Sequence, residues 1–434
     1  MRKIEITGNK TTKQPIILRE LTFNINDTIN RANIDDLIDK CKKNLLNTSL
    51  FNFVTITYTI DSVFINFIIT VKERWYTWPF PLFELSDRNF NTWLQSKNFN
   101  RVNYGLYLVQ ENFRGRKESL KLLVRLGYDE EIGLSYQIPY IGKKQHLGMG
   151  ISGIYSQNHE IPVSSEKNKQ LFFKLYSQRA LKEYAINYSL TYRSEIHNTF
   201  SVQFSYQEAL ISDSVYALYP FYLENNKRNR FFSLTTRYRN DYRDFISYPL
   251  TGHYFDVEIS KKGIGIFKNE INNLYIKSSI RKYSKLFSNV YNSIGIGVKY
   301  MPLKTKSFYF QRGLGYGNEF VRGYEYYVIE GQDYIFGKAN LSYNLIPTKI
   351  GYAKWLPFHK FNTIHYALFS NIFFDAGYSK DIYYKYNNTL NNTLLLGGGI
   401  GLDFVTYYDK VIRVEFSYNK LKEKGVFLHF VAPL

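Results

Sequence analysis

The chain has 434 residues, with 40 Tyr, 34 Phe, a single Cys and a formal net charge of +19. Its Lys and Arg residues are spread along the whole length, with no dense basic run or basic helix, so the charge does not read as a nucleic-acid surface. No run approaches the roughly 18 apolar residues of a membrane-spanning helix, and Cys41 alone excludes an intramolecular disulfide. A chain that is polar on average yet 18% aromatic is best explained by strands that turn alternate residues to lipid and to a wet lumen, with aromatic girdles at both interfaces.

Residues 1–73 read as a small α/β domain. A strand over Lys3 to Thr7 meets the turn signal Gly8, Asn9, Lys10. A helix fits Thr12 to Leu21, with Pro15 tolerated in its first turn. A second helix fits Asn33 to Leu46, with Asn33 as its N-cap and Ile34, Leu37, Ile38, Cys41 and Leu45 on one face. Two strands, Phe53 to Ile60 and Val63 to Val71, form a hairpin at Asp61 and Ser62. Met1 runs directly into the first strand, so no signal peptide is expected within this chain.

Residues 74–102, with Trp75, Trp78, Pro79 and Pro81, read as a connector. From 103 to 434 the pattern is period two. Ile294, Ile296, Val298 and Tyr300 oppose Ser293, Gly295, Gly297 and Lys299; Ile412, Val414, Phe416 and Tyr418 oppose Arg413, Glu415, Ser417 and Asn419. The pattern predicts about sixteen strands, from 103–112 to 424–432 and including 168–179, closed as an antiparallel transmembrane β-barrel. A soluble sandwich or propeller would place the apolar residues inside and leave fewer aromatics exposed.

Between the eleventh and twelfth strands lies Val321, Arg322, Gly323, Tyr324, and the thirteenth carries Phe374, Asp375, Ala376, Gly377. These two motifs, behind a β-α-α-β-β domain with a Gly-Asn turn, resemble the outer-membrane assembly and secretion barrels of the BamA and TamA type. That resemblance covers essentially the whole chain and makes residues 1–73 a POTRA-like domain. It implies that the loop 301–333 tucks into the lumen and that Arg322 meets Asp375 on the inner wall. A guanidinium grips a carboxylate bidentately, Gly323 permits the tight bend, and Tyr324 can stack or donate. Some members of the family add a carboxylate on the twelfth strand, where this chain has Ser342, so Arg322 is expected to rely on Asp375 alone. Gly425, Leu428 and Phe430 resemble a terminal-strand signal, and Asp244, Pro249 and Gly252 a mid-barrel turn.

The resemblance implies a bacterial outer-membrane location, with the N-terminal domain in the periplasm. It implies insertion of client barrel or surface proteins through a seam between Asn103–Asn112 and Gly425–Ala432. Expected partners are client outer-membrane or secreted proteins, periplasmic or lipoprotein accessory subunits and outer-membrane lipids, with no nucleic acid. A two-partner-type secretion pore is the alternative, and a passive porin a lesser one. One POTRA-like domain is fewer than assembly proteins of this type usually carry. No catalytic residue, cofactor or metal is expected: the seven His residues are scattered. The run Gly397 to Gly401 lacks a P-loop lysine and reads as a strand with room beside it.

Overall fold

The computed structural model describes residues 3–61, 64–85, 91, 93, 97, 101–352, 363–406 and 410–430. The N-terminal domain is a three-stranded sheet of β1 (Lys3–Thr7), β2 (Phe51–Asp61) and β3 (Phe64–Glu73), in the order β1-β3-β2 with β1 parallel to β3. Helices α1 (Gln14–Leu18) and α2 (Ile34–Asn47) lie on it around Ile17, Cys41, Leu45, Phe51, Phe67 and Ile69. Helix α1 is shorter than its sequence suggests, because Glu73 claims the backbone before it: Thr11 and Thr12 both donate N–H groups to that carboxylate. Asn33 makes no side-chain cap; Asn30 caps instead, accepting from the Ala32 N–H at 3.1 Å and opening a 3-10 turn that feeds α2.

Most of the remaining described residues form one antiparallel sheet of sixteen strands. They are β4 (Thr77–Leu85), β5 (Val102–Phe113), β6 (Glu118–Gly127), β7 (Asp129–Ile141), β8 (Leu147–Asn158), β11 (Leu181–Tyr192), β12 (Asn198–Ile211), β13 (Arg228–Asp241), β14 (Gly252–Lys262), β15 (Asn273–Phe287), β16 (Val290–Leu303), β17 (Asp333–Tyr352), β18 (Thr363–Lys380), β19 (Leu395–Thr406), β20 (Lys410–Asn419) and β21 (Lys424–His429). Two strand assignments need correction, and they cancel in the count. The stretch Thr77–Leu85, read as connector, is the first strand of the sheet. The stretch 168–179 is not a wall strand: β9 (Glu160–Glu166) and β10 (Lys169–Lys174) pair only with each other among the described residues.

Burial is inverted relative to a water-soluble sheet. Ile294, Ile296, Tyr300, Ile372, Phe374, Ile400, Val414 and Phe416 are exposed, whereas Asp375, Asp403, Arg413, Glu415, Ser417 and Asn419 are buried. An apolar exterior around a polar interior is what a lipid solvent selects. The sheet curls round the connection between β16 and β17, which touches walls far apart in the strand order. Tyr309 donates to Glu183 of β11, Phe310 meets Phe231 of β13 edge-on, and Glu319 pairs with Lys277 of β15.

The closure expected from sequence is not made by backbone pairing. Strand order runs linearly from β21 to β4, and among the described residues those two strands do not pair. The seam therefore lies between Thr77–Leu85 and Lys424–His429, not at Asn103–Asn112, which belongs to the second strand of the sheet. The far limit of the predicted terminal segment, Ala432, lies outside the described residues.

Candidate functional site

Arg322 and Asp375 are both fully buried and joined three times. The Arg322 Nη2 donates to Asp375 Oδ1 at 2.5 Å, its Nε to Oδ2 at 2.9 Å, and its backbone N–H to Oδ2 at 3.1 Å. The guanidinium also stacks over Phe373, 4.0 Å from the ring centroid. Strand parity explains the placement, since Phe373 and Asp375 face inward while Ile372 and Phe374 face out.

Arg322 does not rely on Asp375 alone. Its Nη1 donates to Glu415 of β20 at 3.2 Å, and Arg413 lies 3.6 Å from the same Glu415 oxygen. Arg413 also grips Asp403 in a fork, at 2.5 and 2.7 Å. On the twelfth strand, Lys338 stands in register with Asp375, buried beneath the Phe320 ring at 4.1 Å. That strand therefore supplies a cation to the network.

The loop is moulded to the wall. Gly323 takes φ +91°, donates to Glu325 at 2.8 Å and accepts from the Asn419 side chain at 2.8 Å. Val321 is buried, and Tyr324 donates to the Leu396 carbonyl at 3.3 Å. A Cβ on Gly377 would lie 2.5 Å from Val321, and one on Gly397 only 1.9 Å from the Arg322 carbonyl oxygen. The glycine-rich run of β19 is thus the floor under the loop.

The same loop holds β21 from inside. His429 stacks on Phe320, and its Nε2 lies 3.2 Å from Glu415 and 3.7 Å from Glu325; Tyr326 packs on Phe427. Among the described residues, Glu325, Glu415 and His429 could share a cation. Arg322 and Arg413 already balance Glu415, which favours a proton over a metal in that position. Leu428 of β21, and Phe430 just past its end, point away from the lumen, and Gly425, the second residue of the strand, stands opposite Ser417. In sequence His429 is only one of seven scattered His residues, with no sign of its carboxylate partners.

The seam has a chemical cause. The Glu111 N–H donates to the Tyr76 carbonyl, which sets the parity of the β4–β5 ladder. Residues 77, 79 and 81 therefore turn their backbone groups to the opposite edge, and at 79 and 81 those residues are prolines with no N–H. In β21, the bond from the Asn419 N–H to the Glu423 carbonyl sets the parity in the same way, so Val426 and Leu428 face the seam. Two donors are missing where β4 would have to meet β21.

At the other end of the sheet, the N-terminal domain sits on the barrel mouth. Glu20 is buried against Arg193, which donates to its two oxygens at 2.7 and 2.9 Å, and Tyr140 donates to it at 3.0 Å. Burial pushes the Glu20 carboxyl up, but Arg193, Lys117 and Arg19 outweigh it and hold the group below its ordinary value. Asn47 bonds the Asp244 carbonyl and the Ile246 N–H, while the Asp244 carboxylate accepts from Phe245 and Leu250. This turn ends at Gly252, with φ +107°. A cavity between the domain and the mouth is lined by Arg74, Lys117, Arg193, Arg239 and Arg243, with Glu20 and Asp241 opposing them.

Fold and loop together define a sixteen-stranded antiparallel sheet wrapped round an in-tucked loop, behind a small α/β domain. Residues 1–74 match the POTRA family, described as surface antigen variable number repeat. Over 99% of its length the chain superposes on BamA from Haemophilus ducreyi lacking POTRA domains 1–3, with a TM-score of 0.53, 16% identity and 83% of that chain covered. It superposes similarly on CdiB from Escherichia coli, with a TM-score of 0.56, 10% identity, 98% of this chain and 74% of that one. CdiB from Acinetobacter baumannii gives 0.52, 14%, 99% and 72% respectively. Among curated proteins, none matches the chain.

Proposed function

We propose that this protein inserts client β-barrel or surface proteins into the bacterial outer membrane. Its POTRA domain receives them in the periplasm, and the seam offers them a template. The observation that carries this reading is the edge of β21, to which no strand pairs among the described residues, opposite a β4 edge that lacks two donors. In lipid, a strand edge with unmet N–H and C=O groups is unstable until another strand adds to it. A client strand docking by β-augmentation would meet that need. In the POTRA domain, β2 is an edge strand among the described residues, with Tyr58 and Ile60 exposed, where clients or accessory subunits can add.

Secretion of a partner polypeptide through the lumen is supported less well. Any such path must first expel the loop that carries Arg322 and Tyr324, both buried against the wall. A passive pore has no use for the POTRA domain.

The test is a cysteine pair, one in β4 and one at Val426, in a Cys41→Ala background. Oxidation should stop client insertion in reconstituted membranes while the barrel stays folded, and reduction should restore it. Normal insertion by the oxidised protein would rule the seam out.

A further inference from the structure

The free edge of β21 already has an occupant. Asn91, in the connection that follows β4, is buried, and its side chain meets the backbone of Leu428 twice. The Asn91 Oδ1 accepts from the Leu428 N–H at 2.9 Å, and its Nδ2 donates to the Leu428 carbonyl at 3.2 Å. A strand residue points both its N–H and its C=O to one edge, and at Leu428 that edge is the seam. A carboxamide is a single amide unit, with one acceptor and one donor group. Here it makes the pair of bonds that one residue of an added strand would make.

We propose that Asn91 is an internal cap on the seam, competing with a docking strand for Leu428. The inference rests on the reading of β21 as a strand-docking edge. It explains how the edge is satisfied although β4 cannot complete a ladder: Pro79 and Pro81 remove donors from β4, and Asn91 supplies one from a side chain. A side-chain cap covers one residue and is displaced in one step, whereas a backbone ladder must be unzipped.

Two measurements on the full chain in nanodiscs test the cap. The first is hydrogen exchange at the Leu428 amide without any ligand. Asn91→Ala should speed exchange at Leu428 about tenfold or more, because the N–H loses its acceptor; Asn91→Asp keeps an acceptor for that N–H and should speed exchange less, and Lys97→Ala should leave it unchanged. The second is binding of a fluorescent peptide with the sequence of β20, Lys410–Asn419, followed by photocrosslinking from position 426. Asn91→Ala should bind it about tenfold more tightly than the unmodified chain. Unchanged exchange at Leu428 in Asn91→Ala would overturn the cap itself. Faster exchange with equal peptide binding in all proteins would overturn the competition while leaving the docking reading intact. Peptide binding to none of them would overturn the docking reading and the competition together.

Discussion

The α-carbon of Gly397 lies so close to Arg322 that a β-carbon there would stand 1.9 Å from the Arg322 carbonyl oxygen. Backbone against backbone cannot yield as a flexible side chain does, so Gly397→Ala should lift the loop from the wall, at a cost of about 1–3 kcal/mol. Gly398 is the matched control, since its nearest neighbour to an added β-carbon is 3.2 Å away. Limited proteolysis at Arg322 reads the difference: cleavage should rise in Gly397→Ala and stay near the native level in Gly398→Ala.

Arg322→Ala removes the guanidinium and two of the three bonds to Asp375, which is fully buried, and leaves it only the backbone N–H. Breaking one side of such a pair costs about 3–5 kcal/mol. Arg322→Lys keeps the charge but loses the fork, and should recover only part of the loss. Single-channel recordings distinguish the roles. If the loop is a latch, Arg322→Ala should open larger and noisier conductance states, and Asp375→Asn should do the same. A channel unchanged by both would show that the pair does not hold the loop in place.

Docking of the POTRA domain on the mouth should weaken in acid. Docking lowers the Glu20 carboxyl below its ordinary 4.5, through Arg193, Lys117 and Arg19 acting against the burial penalty. The docked form therefore binds fewer protons than the undocked one. Its advantage is complete above about pH 4.5 and is lost as pH falls through the lowered value. Cleavage at the 74–76 linker, where Arg74 is buried in the docked form, or the distance between spin labels on α2 and near Asp244, should report release in acid. Glu20→Gln should be released at neutral pH and lose the acid step.

Much of this architecture was legible in sequence, because lipid outside and polar groups inside make the period-two signal strong. Ile412 to Asn419 alternate in burial residue by residue. Asp375 could be turned inward by parity alone. Strand β4 was not legible, because Pro79 and Pro81 argue against a strand; they are admissible only at the edge of an open seam, which sequence does not reveal. The hairpin β9–β10 has the same alternation as a wall strand and differs only in its pairing. Ser342 suggested an arginine with one partner, yet Glu415 supplies the second from a strand more than 90 residues away in sequence. Asn91 and Leu428, 337 residues apart, left no local trace at all.

The latch and the terminal strand should be energetically coupled through Glu415. One of its oxygens accepts from Arg322, and the other lies 3.2 Å from His429 of β21. Glu325, on the same loop, approaches His429 from the other side at 3.7 Å. Removing either Arg322 or His429 leaves Glu415 with a partner missing, so the second removal should cost less than the first. Arg322→Ala, His429→Leu and the double variant form a cycle whose coupling should fall between about 0.5 and 3 kcal/mol in urea unfolding from lipid. Hydrogen exchange at Val426 and Leu428 gives the functional half of the test. If the lumen loop governs the seam, Arg322→Ala should speed exchange on β21 although Arg322 bonds to no residue of that strand. Additive energies with unchanged exchange on β21 would leave the latch and the seam as separate devices.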